Sequence, residues 1–67
     1  MPLIGNPLVQ RWYVQVDDLI GGWCVTNVNK PPSQLNWEIG EYEVASFVLE
    51  DVARHIAHLH NQSLGLT

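Results

Sequence analysis

The stretch Trp12-Tyr13-Val14-Gln15-Val16-Asp17-Asp18-Leu19-Ile20-Gly21-Gly22-Trp23-Cys24-Val25-Thr26-Asn27-Val28 decides the fold. Its two ends are rich in β-branched and aromatic side chains, which suit a pleated sheet. Between them lie Asp17-Asp18, whose side chains bond the local backbone, and Gly21-Gly22, which reach positive φ without a Cβ clash. Two short strands this close in sequence pair antiparallel. The first strand is expected from Leu8 to Val16 and the second from Trp23 to Val28. Alternation along the first places Trp12, Val14 and Val16 on one face and Arg11, Tyr13 and Gln15 on the other. The first face is clearly the more apolar, the mark of a sheet covered on one side.

Working outward, Met1 to Pro7 holds two prolines and a glycine and reads as an irregular arm over residues 1–7. On the other side, Asn29 to Tyr42 reads as a long loop, residues 29–42. It contains Pro31-Pro32, which cannot donate to a sheet ladder, and Gly40. Loops of this length in small domains are often functional. Glu43 to Val48 reads as a third strand. The period then changes. At about 100° per residue, Leu49, Val52, Ala53, Ile56 and Leu59 share one stripe with Ala57 at its flank, which defines an amphipathic helix. Glu50 and Asp51 in its first turn complement the helix dipole, and Glu50–Arg54 and Asp51–His55 are i,i+4 pairs. Asn61 is the expected stop, and residues 62–67 are expected to form a flexible tail.

The expected fold class is therefore α+β, one small domain over residues 1–67. A three-stranded antiparallel meander carries one C-terminal amphipathic helix packed on one face, in the order β-β-β-α. The expected core is Trp12, Val14, Trp23, Val25, Phe47, Val52, Ile56 and Leu59. Tyr13, Val28 and Trp37 are candidates for the second sheet face. A half-covered sheet with edge strands favours a homodimer.

Composition narrows the function. The chain has 67 residues, 46% hydrophobic and 15% charged, so it can fold but buries only a thin core. Cys24 is the single cysteine, which excludes an internal disulfide. No apolar run approaches the roughly 20 residues that span a bilayer. The start at Met1 lacks a basic n-region and an apolar h-region, so no signal peptide is expected. The formal net charge is −4, with only Arg11, Lys30 and Arg54 basic and scattered. Nucleic-acid binding draws on clustered cations, as does docking on an anionic membrane, and both are disfavoured.

Four constellations could carry chemistry. His55, His58 and His60 lie on the helix, but His60 points nearly opposite to His58. Asp51, His55 and His58 form one patch without a further convergent ligand, so no metal is expected. His60 falls inside the apolar stripe and reads as a structural histidine bonding a carbonyl or favoured by the dipole. Cys24 has no base or electropositive neighbour in sequence and reads as structural. No phosphate-cradling glycine motif occurs, and a thin core leaves little room for an enclosed pocket. No catalytic residue, cofactor or enzymatic activity is expected. The fourth constellation is Leu35-Asn36-Trp37-Glu38-Ile39, three apolar side chains in a polar loop. Either it folds back as a lid over the core edge, or Trp37 anchors an interface, since tryptophan is enriched in binding hot spots.

At Gly21-Gly22-Trp23-Cys24-Val25 and Ala53-Arg54-His55-Ile56-Ala57-His58-Leu59-His60-Asn61, the sequence resembles short orphan proteins encoded by bacteriophages and prophages of actinobacteria. The resemblance covers roughly residues 12–61 and carries no catalytic motif and no general function. Relative to that class, the Pro31-Pro32 loop looks like an insertion. A second likeness is to antitoxins whose small β-β-β-α domain begins with strand, Asp and Gly-Gly; there a separate DNA-binding segment follows, which this chain does not show. The resemblance implies a cytoplasmic protein of an infected or lysogenic bacterial host. The expected function is non-enzymatic binding of a protein partner, host-encoded in that setting, through Leu35, Trp37, Glu38, Ile39 and Glu41, with the carboxylates setting orientation and on-rate. The alternatives are a nucleic-acid-associated or antitoxin-like regulator and a minor virion component.

Overall fold

Asp17 makes the hairpin. Its Oδ1 accepts the amides of Leu19 (3.0 Å) and Ile20 (3.1 Å), and its backbone closes the turn through Asp17 N–H to Gly22 O (2.9 Å) and Gly21 N–H to Asp17 O (2.9 Å). Gly21 and Gly22 both take positive φ, 82° and 77°, a backbone region costly for residues with a Cβ. A computed structural model describes residues 6–47 and 49–66, Phe47 by its backbone alone. Strands β1 (Tyr13–Val16), β2 (Trp23–Thr26) and β3 (Glu43–Phe47) form an antiparallel sheet in the order β1-β2-β3, followed by helix α1 (Glu50–Ser63). The expected α+β meander with one C-terminal helix is the observed architecture.

The elements differ from expectation at their ends. Residues Leu8 to Trp12 are not strand. Pro7–Val9 is a 3-10 turn, with Pro7 at its start and the Asn6 side chain accepting from Leu8 N–H; proline's fixed φ suits that position. The second strand stops at Thr26 because Asn27 turns its side chain into the following loop. The end expected at Val48 lies outside the described residues. The helix does not stop at Asn61, and residues 62–66 are not a loose tail. Leu66 N–H bonds Asn61 O (2.9 Å) and Gly65 N–H bonds Gln62 O (3.0 Å), with Gly65 at φ 77°. That pattern is a Schellman close.

Register explains the core. Val14 pairs with Val25 in β1–β2, and Val25 with Ala45 in β2–β3. A register shift at Val25/Thr26 leaves Val44 without a partner opposite, as in a β-bulge. Val25, Ala53 and Ala57 are buried at the centre, with Trp12, Val14, Trp23 and Val44 packed around them. The expected helix stripe is thus corrected. Val52 and Leu59 are 40% and 48% exposed, while the Ala53–Ala57–Asn61 row faces the sheet. Small side chains let the helix axis come close, and that orientation is what lets Asn61 reach Trp12. The side chain of Phe47, also expected in the core, lies outside the described residues.

Asn61 is the second organising residue. It is 9% exposed. Its Oδ1 accepts Trp12 N–H at 2.8 Å and its Nδ2 donates to Trp12 O at 3.0 Å. The amide thus pairs the backbone of Trp12 as a neighbouring strand would. The preceding residue, His60, stacks on the Trp12 indole with ring centroids 3.5 Å apart. Its Nε2 donates to Gln10 O at 2.7 Å, so the carbonyl-bonded structural histidine expected from sequence is present.

Candidate protein-interaction site

Alternation sends Cys24 and Thr26 to the sheet face opposite Val25, yet both are 0% exposed. The segment from Asn27 to Tyr42 is tied down on this side. Gln15 Nε2 donates to Asn29 Oδ1 (2.6 Å), Thr26 Oγ1 to Val28 O (2.7 Å), and Ser33 donates through both its amide and its hydroxyl to Asp18. Pro32 is buried within a 3-10 turn, Pro32–Gln34. The loop is therefore folded against the sheet rather than dangling from it.

Two side chains brace its far end. Asn27 Nδ2 donates to Gly40 O (2.7 Å) and to Gln10 Oε1 (2.9 Å), while its Oδ1 accepts Tyr42 N–H (2.7 Å). Glu41, 8% exposed, accepts from Lys30 Nζ (2.7 Å) through Oε2 and from the Asn36 amide (3.0 Å) through Oε1. The Lys30 ammonium, then the Asn36 amide, hold the Glu41 carboxyl below its ordinary value despite burial. On this base sits a second 3-10 turn, Trp37–Ile39. Asn36 Oδ1 accepts Glu38 N–H (3.0 Å), and Gly40 at φ 88° sends its N–H to Trp37 O.

The five residues singled out in the sequence thus divide. Trp37 (70% exposed), Ile39 (60% exposed) and Glu38 form a protruding tip. Leu35 is half-buried at its root. Glu41 points inward as a strut. The loop does fold back, but Trp37 does not go under it. A tryptophan held on a capped, braced turn loses little freedom when it is buried by a partner, which favours binding. Sequence reasoning passed over Asn27 and Asn36, the residues that shape this tip. An asparagine directly before Trp37-Glu38-Ile39, with Gly40 directly after, was the available signal for Asn36.

Elsewhere, Asp17, Cys24 and Glu43 each bring one potential ligand atom within 4.8 Å of the others. The β2–β3 register sets Cys24 opposite Ser46, and the Ser46 hydroxyl bridges the carboxylates of Asp17 and Glu43. Burial tends to raise the Asp17 pKa, but the amides of Leu19 and Ile20 and the Ser46 hydroxyl outweigh it and hold it below the ordinary value. Burial, then the charges of Glu43, Asp17 and Asp18, push the Cys24 thiol up to about 11. Cys24 is therefore a protonated thiol at neutral pH, a poor nucleophile. His55 and His58 are exposed on the helix flank with Asp51. All three basic side chains are engaged: Lys30 with Glu41, Arg54 with Glu50 (2.5 Å), and Arg11 with Leu66 O (2.9 Å). An open apolar cleft of about 360 Å³ lies between the N-terminal turn and β3, lined by Asn6, Pro7, Leu8, Tyr42, Glu43 and Val44. No helix among the described residues is long and apolar enough to cross a membrane. No protein family, curated protein or solved structure matches the chain.

Proposed function

We propose that this chain acts without catalysis, by binding another protein through the Trp37–Ile39 tip, as a small phage-type protein in the cytoplasm of a bacterial host. The observation that carries this reading is a tryptophan 70% exposed on a turn capped at both ends by Asn36 and Gly40. Nothing in the fold needs that side chain exposed, and an anchor residue on a prepared scaffold is the form binding hot spots take. Glu38 beside it supplies a negative rim for a partner with basic groups. The engagement of Arg11, Lys30 and Arg54 in internal pairs favours a protein partner over a nucleic acid.

The test is capture from nuclease-treated lysate of a bacterial host on the tagged chain, read by mass spectrometry. A specific protein retained by wild type and lost by Trp37→Ala with Glu38→Ala is the expected result. Trp37 is exposed, so its removal should change stability by no more than about 0.5 kcal/mol, and an unfolding curve run alongside separates lost binding from lost fold. Unchanged capture by the folded double variant would refute the reading.

A further inference from the structure

The outer side of α1 carries an unspent pattern. Leu49 at the N-cap and Val52, Ile56 and Leu59 within the helix recur at spacings of three, four and three, the a/d repeat of a coiled-coil seam. The sheet does not use them fully. Leu49 is 64% exposed, Val52 40% and Leu59 48%, and Ile56 is half-buried. The helix is buried through Ala53, Ala57 and Asn61 instead. The row is flanked on its open side by Asp51, His55, His58 and Gln62, all exposed.

We propose that this row is the contact for a second copy of the same chain, in a twofold pair of antiparallel α1 helices centred near Arg54. Three observations single out that occupant. First, the row is self-complementary about this centre. Leu49 meets Leu59 of the other copy and Val52 meets its Ile56, so every apolar layer is filled by the same four residues, as an isologous contact requires. Second, the twofold opposes the two helix dipoles and sets the acidic first turn of one helix, Glu50 and Asp51, beside the turn of the other that carries His58, so that no carboxylate of one helix faces a carboxylate of the other. Third, the fold is short of buried apolar mass. Val25, Ala53 and Ala57 are its fully buried central cluster, and domains of this size commonly gain stability by association. The surface is separate from the Trp37 tip, which belongs to the loop on the opposite sheet face, so the pair would carry two tips.

Analytical ultracentrifugation of the intact chain tests this. Wild type is expected to sediment as a dimer of the 7.6 kDa chain, and Leu59→Glu and Val52→Glu as monomers with unchanged helical circular dichroism. Both side chains are already partly exposed, so the monomer fold tolerates the charge. His55→Cys in a Cys24→Ala background is expected to form an intermolecular disulfide on mild oxidation, because His55 lies near the twofold axis, while Gln62→Cys does not. A wild-type chain that stays monomeric at its highest soluble concentration would overturn the proposal. So would a dimer that survives Leu59→Glu. Trp37→Ala should leave the dimer intact; its loss there would move the interface to the loop and equally overturn the proposal.

Discussion

Replacing Asn61 by alanine should damage this protein more than its place near the end of the helix would suggest. Two hydrogen bonds to Trp12 disappear, at 2.8 and 3.0 Å. Each leaves a backbone group without a partner in a part-buried setting, where an orphaned polar group costs about 1–3 kcal/mol. Water reaches part of Trp12, so about 1–1.5 kcal/mol per group applies, and alanine's better helix propensity returns about 0.5 kcal/mol. The net loss is about 2 kcal/mol, a large share of the roughly 3–10 kcal/mol a chain this long possesses. For a domain of this size that corresponds to a fall in Tm of about 10–15 °C. Thermal and urea unfolding followed by circular dichroism measure it, with Gln62→Ala, an exposed neighbour, expected within about 0.5 kcal/mol of wild type. Amide exchange at Trp12 should rise in Asn61→Ala beyond what the global loss explains. A destabilisation under about 0.5 kcal/mol, or an unchanged Trp12 exchange rate relative to the global opening, would refute the clamp.

Two further outcomes follow from the buried titratable groups. Asp17 and Glu41 both have folded pKa values below their ordinary 3.8 and 4.5, so their stabilisation is present above the unfolded values and is lost as pH falls through the folded ones. Unfolding curves should therefore weaken on acidification below about pH 4.5. Glu41→Gln, which lacks the titrating group, should show a flatter acid limb; an identical limb would remove Glu41 from the account. Cys24, with its thiol pushed up to about 11 and no exposure, should resist a thiol reagent at pH 8 in the native state and react fully in denaturant. Rapid native labelling, with no change in folded fraction, would contradict its burial.

The hairpin and the meander were legible because their signals are local: alternation around Val14 and Val25, and turn chemistry in Asp17 and Gly21-Gly22. The helix was legible as an element but not in its orientation. Of the expected stripe of Leu49, Val52, Ala53, Ile56 and Leu59, with Ala57 at its flank, the sheet buries Ala53 and Ala57 and leaves Leu49, Val52 and Leu59 largely exposed. Hydrophobicity ranks the larger side chains first, but close approach to a sheet rewards small ones, and a polar residue in the same row, Asn61, marks where the partner is backbone rather than side chain. The exposed tip at Trp37 and Ile39 was legible as an oddity of composition. That Glu41 turns inward was not, because its partner Lys30 lies across the loop and becomes adjacent only once Asn27 has closed it. The proximity of Asp17, Cys24 and Glu43 depends on register across two strand pairs, which no spacing in the sequence encodes.

The contacts of residues 10–12 with residues 60–66 bear on how the chain acquires its shape during synthesis. Gln10 to His60, Trp12 to Asn61 and Arg11 to Leu66 span sequence separations of 50, 49 and 55. Closing loops of that length carries a large entropic cost before any contact rewards it. While residues 60–66 are still inside the ribosomal tunnel, the hairpin can pair, but Trp12 has neither its stacking ring nor its backbone partner. The sheet's first edge therefore stays open until the last turns of the helix emerge. Closure of the sheet's first edge is consequently coupled to the arrival of residues 60–66, and the hairpin without them is the species most exposed to wrong pairing.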